Sequence, residues 1–87
     1  MKTGRCVLGD GSIHYYDEQG RLHREDGPAV EYPNGQRNWY INGKRHRDDG
    51  PAIITPSGRE YWFHEGKYIS CSTLEEFQRI VNLKAFW

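Results

Sequence analysis

From Gly20 the chain reads GRLHREDGPAVEYPNGQRNWYI and from Gly43 it reads GKRHRDDGPAIITPSGREYWFH, passages that superimpose with a constant step of 23, the separation of the two glycines. His23/His46, Arg24/Arg47, Asp26/Asp49, Gly27/Gly50, Pro28/Pro51, Ala29/Ala52, Pro33/Pro56, Gly35/Gly58 and Trp39/Trp62 are identical pairs, and Val30/Ile53 and Tyr40/Phe63 are conservative ones. A period of this size marks a stacked-repeat architecture, because each unit is too small to bury its apolar face alone and needs a neighbour to do so.

Each copy decodes as strand, turn, strand, turn. Pro28 fixes φ and lacks an amide donor, which suits the first position of an extended segment, so Ala29 to Tyr32 reads as a strand. Pro33-Asn34-Gly35 and Pro56-Ser57-Gly58 then reverse the chain. The return strands, 36–41 and 59–64, set Trp39 against Tyr40 and Trp62 against Phe63 on opposite faces. Asn42-Gly43 and Glu65-Gly66 close the next turns.

Residues 1–19 read as a worn first copy, with a strand near Arg5 to Leu8, an Asp10-Gly11 turn and a return strand from Ser12 to Tyr16. A shift of 24 lays Gly11 on Gly35 and Tyr15-Tyr16 on Trp39-Tyr40, the extra residue falling in a turn, where insertion costs least. The expected organisation is therefore one domain over 1–87. It comprises a degenerate repeat (1–19), full repeats at 20–42 and 43–65, a closing strand at 66–71 and a capping helix at 72–87. The helix is signalled by Ser72-Thr73-Leu74-Glu75-Glu76, a capping-box start, and by Leu74, Phe77, Ile80, Val81 and Ala85 at helical spacing. The predicted fold class is mainly β: an antiparallel meander of stacked hairpins forming a single-layer sheet, closed by one C-terminal α-helix.

With 12 basic and 12 acidic residues the formal charge is +0, which gives no long-range field to draw in nucleic acid or an anionic membrane. No apolar run is long enough to span a bilayer and no signal-peptide pattern is present, so the expectation is a reduced, cytoplasmic protein. Cys6 and Cys71 read as two small buried hydrophobes, a bridge between them requiring that the first and last elements meet.

The run EYPNGQRNWYINGKRHRDDGPA resembles the MORN-type repeat, whose units join a Tyr-Pro-Asp-Gly-like turn to an aromatic strand, an Asn-Gly-Lys turn and a His-Gly segment. Tyr32-Pro33-Asn34-Gly35, Trp39 and Asn42-Gly43-Lys44-Arg45-His46 stand at the matching positions. It is closer still to variant repeats with His-Arg-x-Asp-Gly-Pro-Ala found in small bacterial and phage proteins. Two features depart from the pattern: Arg24 or Arg47 follows the His with an added Asp-Gly-Pro, and the Tyr-x-Gly-x-Trp run is shortened. The resemblance implies a single-layer sheet serving as a protein-binding or anionic-lipid-binding scaffold, the neutral charge favouring the first.

His23-Arg24-Asp26 and His46-Arg47-Asp49 raise acid–base chemistry. A catalytic centre needs one such set in a cleft, whereas residues returning at a fixed period serve turn geometry and packing between units. These six, with Trp39 and Trp62, are therefore assigned to structure, Arg24–Asp26 and Arg47–Asp49 as polar pairs tying an irregular corner. Cys6, Cys71, His14, His23, His46 and His64 contain no close ligand pair of the kind that announces a zinc site. Neither a phosphate loop nor a nucleophile elbow is present, so no catalytic residue, metal or cofactor is assigned.

What remains is a surface. Tyr16, Arg37, Tyr40, Arg59, Tyr61 and Phe63 are the candidate partner-binding residues, aromatic side chains with arginine being the composition of interface hot spots. The alternative for each aromatic is packing against its repeat neighbours. The expected function is a non-catalytic adaptor or stoichiometric inhibitor that binds another protein, with anionic-lipid binding as the alternative. Self-association through the first strand's edge or through Phe86 and Trp87 is a further option.

Overall fold

The computed structural model describes residues 4–83, and the terminal Phe86 and Trp87, with the end of the predicted helix, lie outside them. The strands are β1 (Gly4–Val7), β2 (Ile13–Tyr16), β3 (Val30–Glu31), β4 (Arg37–Asn38), β5 (Tyr40–Ile41), β6 (Lys44–Arg45), β7 (Ile53–Ile54), β8 (Glu60–His64) and β9 (Lys67–Ile69), followed by α1 (Leu74–Leu83). Seven of them form one antiparallel meander in the order β1-β2-β3-β4-β7-β8-β9, and β5 and β6 form a separate two-stranded ladder. The mainly β fold with one C-terminal helix is thus the observed one.

The period is written into the hydrogen bonds. Gly43 N donates to Leu22 O and Gly66 N to Arg45 O, both at 2.8 Å, so each Asn-Gly-type turn is tied back to the preceding unit. Asn42 (φ 53°) and Glu65 (φ 48°) lead those turns in the left-handed region, each followed by a glycine at positive φ. That is the geometry a tight primed hairpin requires.

One expected strand is broken. The segment 36–41 divides at Trp39, whose amide donates to Ala52 O and whose carbonyl accepts from His46 N. Trp39 therefore sits where its partner changes from β7 to β6. Between those two strands the chain bulges out as the corner Arg47-Asp48-Asp49-Gly50, so the ladder pauses opposite the bulge.

Register sorts the side chains onto two faces. Ile13, Glu31, Arg37, Ile54 and Glu60 share one rung, and His14, Val30, Asn38, Ile53 and Tyr61 share the next, pointing the other way. The first face carries the corners and α1 and is called here the helix face. There Trp62 and Ile69, paired across β8 and β9, pack with Phe77 of α1, flanked by Cys71, Ile80 and Val81.

The aromatic column on the helix face explains both the corner and the cap. The Arg24 guanidinium lies 4.0 Å from the Tyr15 ring centre and that of Arg47 lies 3.9 Å from Trp39. Trp62, the last member, has Phe77 at 5.1 Å instead. Each aromatic is roofed by the chain that follows it, and α1 supplies the roof where no further corner exists.

The helix starts as its sequence dictates. Thr73 Oγ1 accepts the Glu76 amide at 3.1 Å, and Glu76 Oε1 reaches back to the amide of Ser72 at 2.7 Å. β1 and β9 are the outer strands of the sheet, so Cys6 and Cys71 lie at opposite ends and no disulfide joins them. Burial, with Glu76 nearby, pushes the Cys71 thiol up.

At the first Gly turn, Asp17 accepts the amides of Gln19 and Arg21, each at 2.9 Å, and Arg21 Nε at 2.8 Å. Partial desolvation pushes its carboxyl up. The Arg21 amide and guanidinium and the Gln19 amide outweigh this and hold it below the usual 3.8. A carboxylate lowered in the folded state contributes stability above its unfolded value that is lost as pH falls through the folded one. Asp17→Asn is therefore expected to be less stable than wild type at neutral pH, with the gap closing below about pH 4. Urea midpoints across that range check it, and a gap independent of pH would remove the carboxylate from the account.

Candidate functional site: the tyrosine face

The face opposite α1 carries Tyr16, Tyr40, Tyr61 and Phe63. Tyr61 and Phe63 follow from alternation along β8, Tyr40 from its position two residues after Asn38, and Tyr16 likewise from His14. Phe63 pairs with Tyr68 across β9, their rings 5.7 Å apart, and Tyr61 lies 6.5 Å from the same Tyr68 ring. Arg45, opposite Tyr40 in register, places its guanidinium 5.5 Å from Phe63. Tyr68 is 58% exposed and Tyr32, next to the Pro-Asn-Gly turn, is 38% exposed. The side chains of Tyr16, Tyr40, Tyr61 and Phe63 are half-buried, while Val30 and Asn38 on the same face are buried.

Of the residues selected from sequence, Arg37 is displaced. It pairs with Glu31 and Ile54 and so belongs to the helix face, because the period-two alternation puts it out of phase with Tyr40. Arg59 stays, in phase with Tyr61 at the β7–β8 turn. Two contributors were missed, Tyr68 and Arg45. They occupy one column at the repeat step, but neither has an identical counterpart to draw the eye.

On the helix face the repeated polar residues engage one another. Arg24 Nε donates to Asp26 at 2.9 Å and its Nη1 to Pro28 O at 3.2 Å; Arg47 Nε donates to Asp49 at 3.0 Å and Nη1 to Pro51 O at 3.1 Å. A cleft of about 540 Å³ lies between the two corners, with Trp39 and these ion-paired side chains in its walls.

The histidines do parallel work. His23 Nδ1 accepts the Asn42 amide at 2.9 Å and His46 Nδ1 accepts that of Glu65 at 2.8 Å, so each holds the left-handed residue of the next turn. His64 comes within 4.8 Å of His46, ring centre to ring centre, and ligand atoms of His46, Asp48 and His64 all lie within 4.8 Å of one another. Sequence spacing gave no hint of this convergence. With Nδ1 accepting an amide, the His46 proton resides on Nε2, which faces Asp48 Oδ1 at 2.8 Å. Metal coordination through Nε2 would move that proton to Nδ1 and break the turn contact, so the arrangement favours the structural role.

His46→Leu is expected to cost about 1 kcal/mol, the value of an exposed-side hydrogen bond, with His46→Asn retaining part of it through an acceptor in the Nδ1 position. Amide exchange at Glu65 reads the effect directly. Unchanged protection in the leucine variant would show that the turn needs no such support.

In comparisons with known proteins, no family model matches the chain, and no curated protein or solved structure matches it either. The fold and the face therefore define the class: a small hairpin-repeat sheet, closed on one face by a helix and presenting tyrosines on the other. Among the described residues no helix is long and apolar enough to cross a membrane.

Proposed function

We propose that this chain is a non-catalytic module that binds another protein through the tyrosine face. The observation that carries the proposal is the placement of Tyr40, Tyr61, Phe63 and Tyr68 with Arg45 on the side of the sheet away from α1. Rigid aromatic side chains with arginine bury much area at small rotamer cost, as interface anchors do. The structural assignment of the recurrent His, Arg and Asp residues supports a scaffold in preference to a catalyst. The MORN-type resemblance agrees and suggests a cytoplasmic adaptor or a stoichiometric inhibitor, one version being a phage or mobile-element protein acting on a host factor.

The test is affinity capture from the native host with wild type beside a Tyr40→Ala, Phe63→Ala variant. Loss of the same prey by a variant that retains a cooperative fold supports the face. Equal recovery by both baits moves the contact elsewhere. Salt-sensitive flotation with acidic vesicles, in place of prey, would return the anionic-lipid function.

A further inference from the structure

The neutral total charge conceals a segregation. Of the 12 acidic residues, all but one fall in turns, corners, the helix face or α1 away from the aromatic cluster, as Asp17, Asp26, Asp49, Glu31 and Glu76 illustrate; Asp10 alone borders the tyrosine face, bound to Ser12 beside His14 at the end of the sheet opposite β8. That face does carry Arg45 and Arg59. Arg21, Arg24 and Arg47 are each bound to a carboxylate; Arg45 and Arg59 make no ion pair among the described residues, nor do Arg5, Arg37 and Arg79 elsewhere, so what singles out Arg45 and Arg59 is their place among the rings of the tyrosine face. Of the 6 tyrosines only Tyr15 is on the helix face.

Resting on the protein-binding reading, we infer that the partner presents an acidic segment in which carboxylates alternate with aromatic or aliphatic side chains. Covering two unpaired guanidinium groups with a neutral surface leaves their desolvation uncompensated. A carboxylate supplies the missing acceptor as a charge-assisted, bidentate pair. Stacking on Phe63 engages the plane of the Arg45 guanidinium and leaves its N–H edge for that purpose. The rings between the two arginines then take the apolar anchors. A basic segment meets like charge at both ends and no counter-charge between. A nucleic acid strand needs a continuous cationic track, which two arginines on a neutral chain do not provide.

The test pans a random phage-displayed peptide library against wild type and against an Arg45→Glu, Arg59→Glu variant, with oligo(dT) and phosphatidylserine vesicles as parallel probes. Wild type is expected to enrich peptides combining Asp or Glu with aromatic or aliphatic residues. Their affinity should fall roughly tenfold or more per arginine removed, and with added salt, while the glutamate variant enriches Lys- and Arg-bearing peptides. An Arg45→Gln, Arg59→Gln variant, matched to wild type in unfolding midpoint, should show the loss without the gain. Enrichment of peptides without acidic bias overturns the inference and leaves the protein-binding reading standing. Oligo(dT) or vesicle binding that is lost on Tyr61→Ala, with no peptide enriched, overturns both.

Discussion

Phe77→Ala is expected to lower stability by about 3–5 kcal/mol, the range for truncating a fully buried aromatic side chain. Phe77 is 1% exposed and lies on Trp62, so its removal opens the apolar cluster that joins α1 to the sheet and uncovers the last aromatic of the column. Domains hold only about 5–15 kcal/mol in total, so the loss is a large fraction of the stability and at the low end of that range would bring the variant to its unfolding midpoint in water. Urea denaturation followed by tryptophan fluorescence checks it. A cost below about 1 kcal/mol would mean that α1 rests on the sheet without closing it. Arg47→Ala, removing the equivalent roof over Trp39, should cost less, because that site is only half-buried and the arginine's contribution is a cation–π contact with two hydrogen bonds.

The second large effect concerns a residue with no side chain. Gly50 is buried and its φ lies outside the left-handed region, so backbone freedom does not explain it. Room does. A Cβ at Gly50 would stand 2.8 Å from Cζ of Arg47, and one at Gly27 would stand 3.0 Å from Cζ of Arg24. Gly50→Ala must displace the guanidinium from Trp39, Asp49 and Pro51 O together, at about 1–3 kcal/mol as overpacking costs go, and Gly27→Ala should cost somewhat less. In an Arg47→Ala background the glycine substitution should become nearly silent, since the clashing group is gone. A double-mutant cycle by thermal unfolding measures that coupling. Additive effects would show that the glycine serves the backbone after all.

How far the sequence reaches depends on the range of the interaction. The Pro-Asn-Gly and Pro-Ser-Gly reversals, the Asn-Gly turn and the capping box at Thr73 are local, and each stood where its residues placed it. The repeat step carried the fold further, because Gly43 and Gly66 make the same backward bond one unit apart. What escaped was what crosses between elements. The break at Trp39 arises from a bulge in the partner strand, Phe77 replaces an arginine of a different chain segment, and the contact of His46 with His64 joins positions out of step with the period. On the candidate site, alternation placed Tyr61 and Phe63 together. The same rule, followed strictly, puts Arg37 on the opposite face from Tyr40.

The roofs over Tyr15, Trp39 and Trp62 all come from residues downstream of the ring they cover, and never from upstream. Assembly on the ribosome can therefore proceed in one direction, every unit sealed as soon as its successor emerges and none waiting on a distant partner. Trp62, with no corner to follow it, must stay bare until α1 leaves the exit tunnel, and that is the interval in which the column is most open to misassociation.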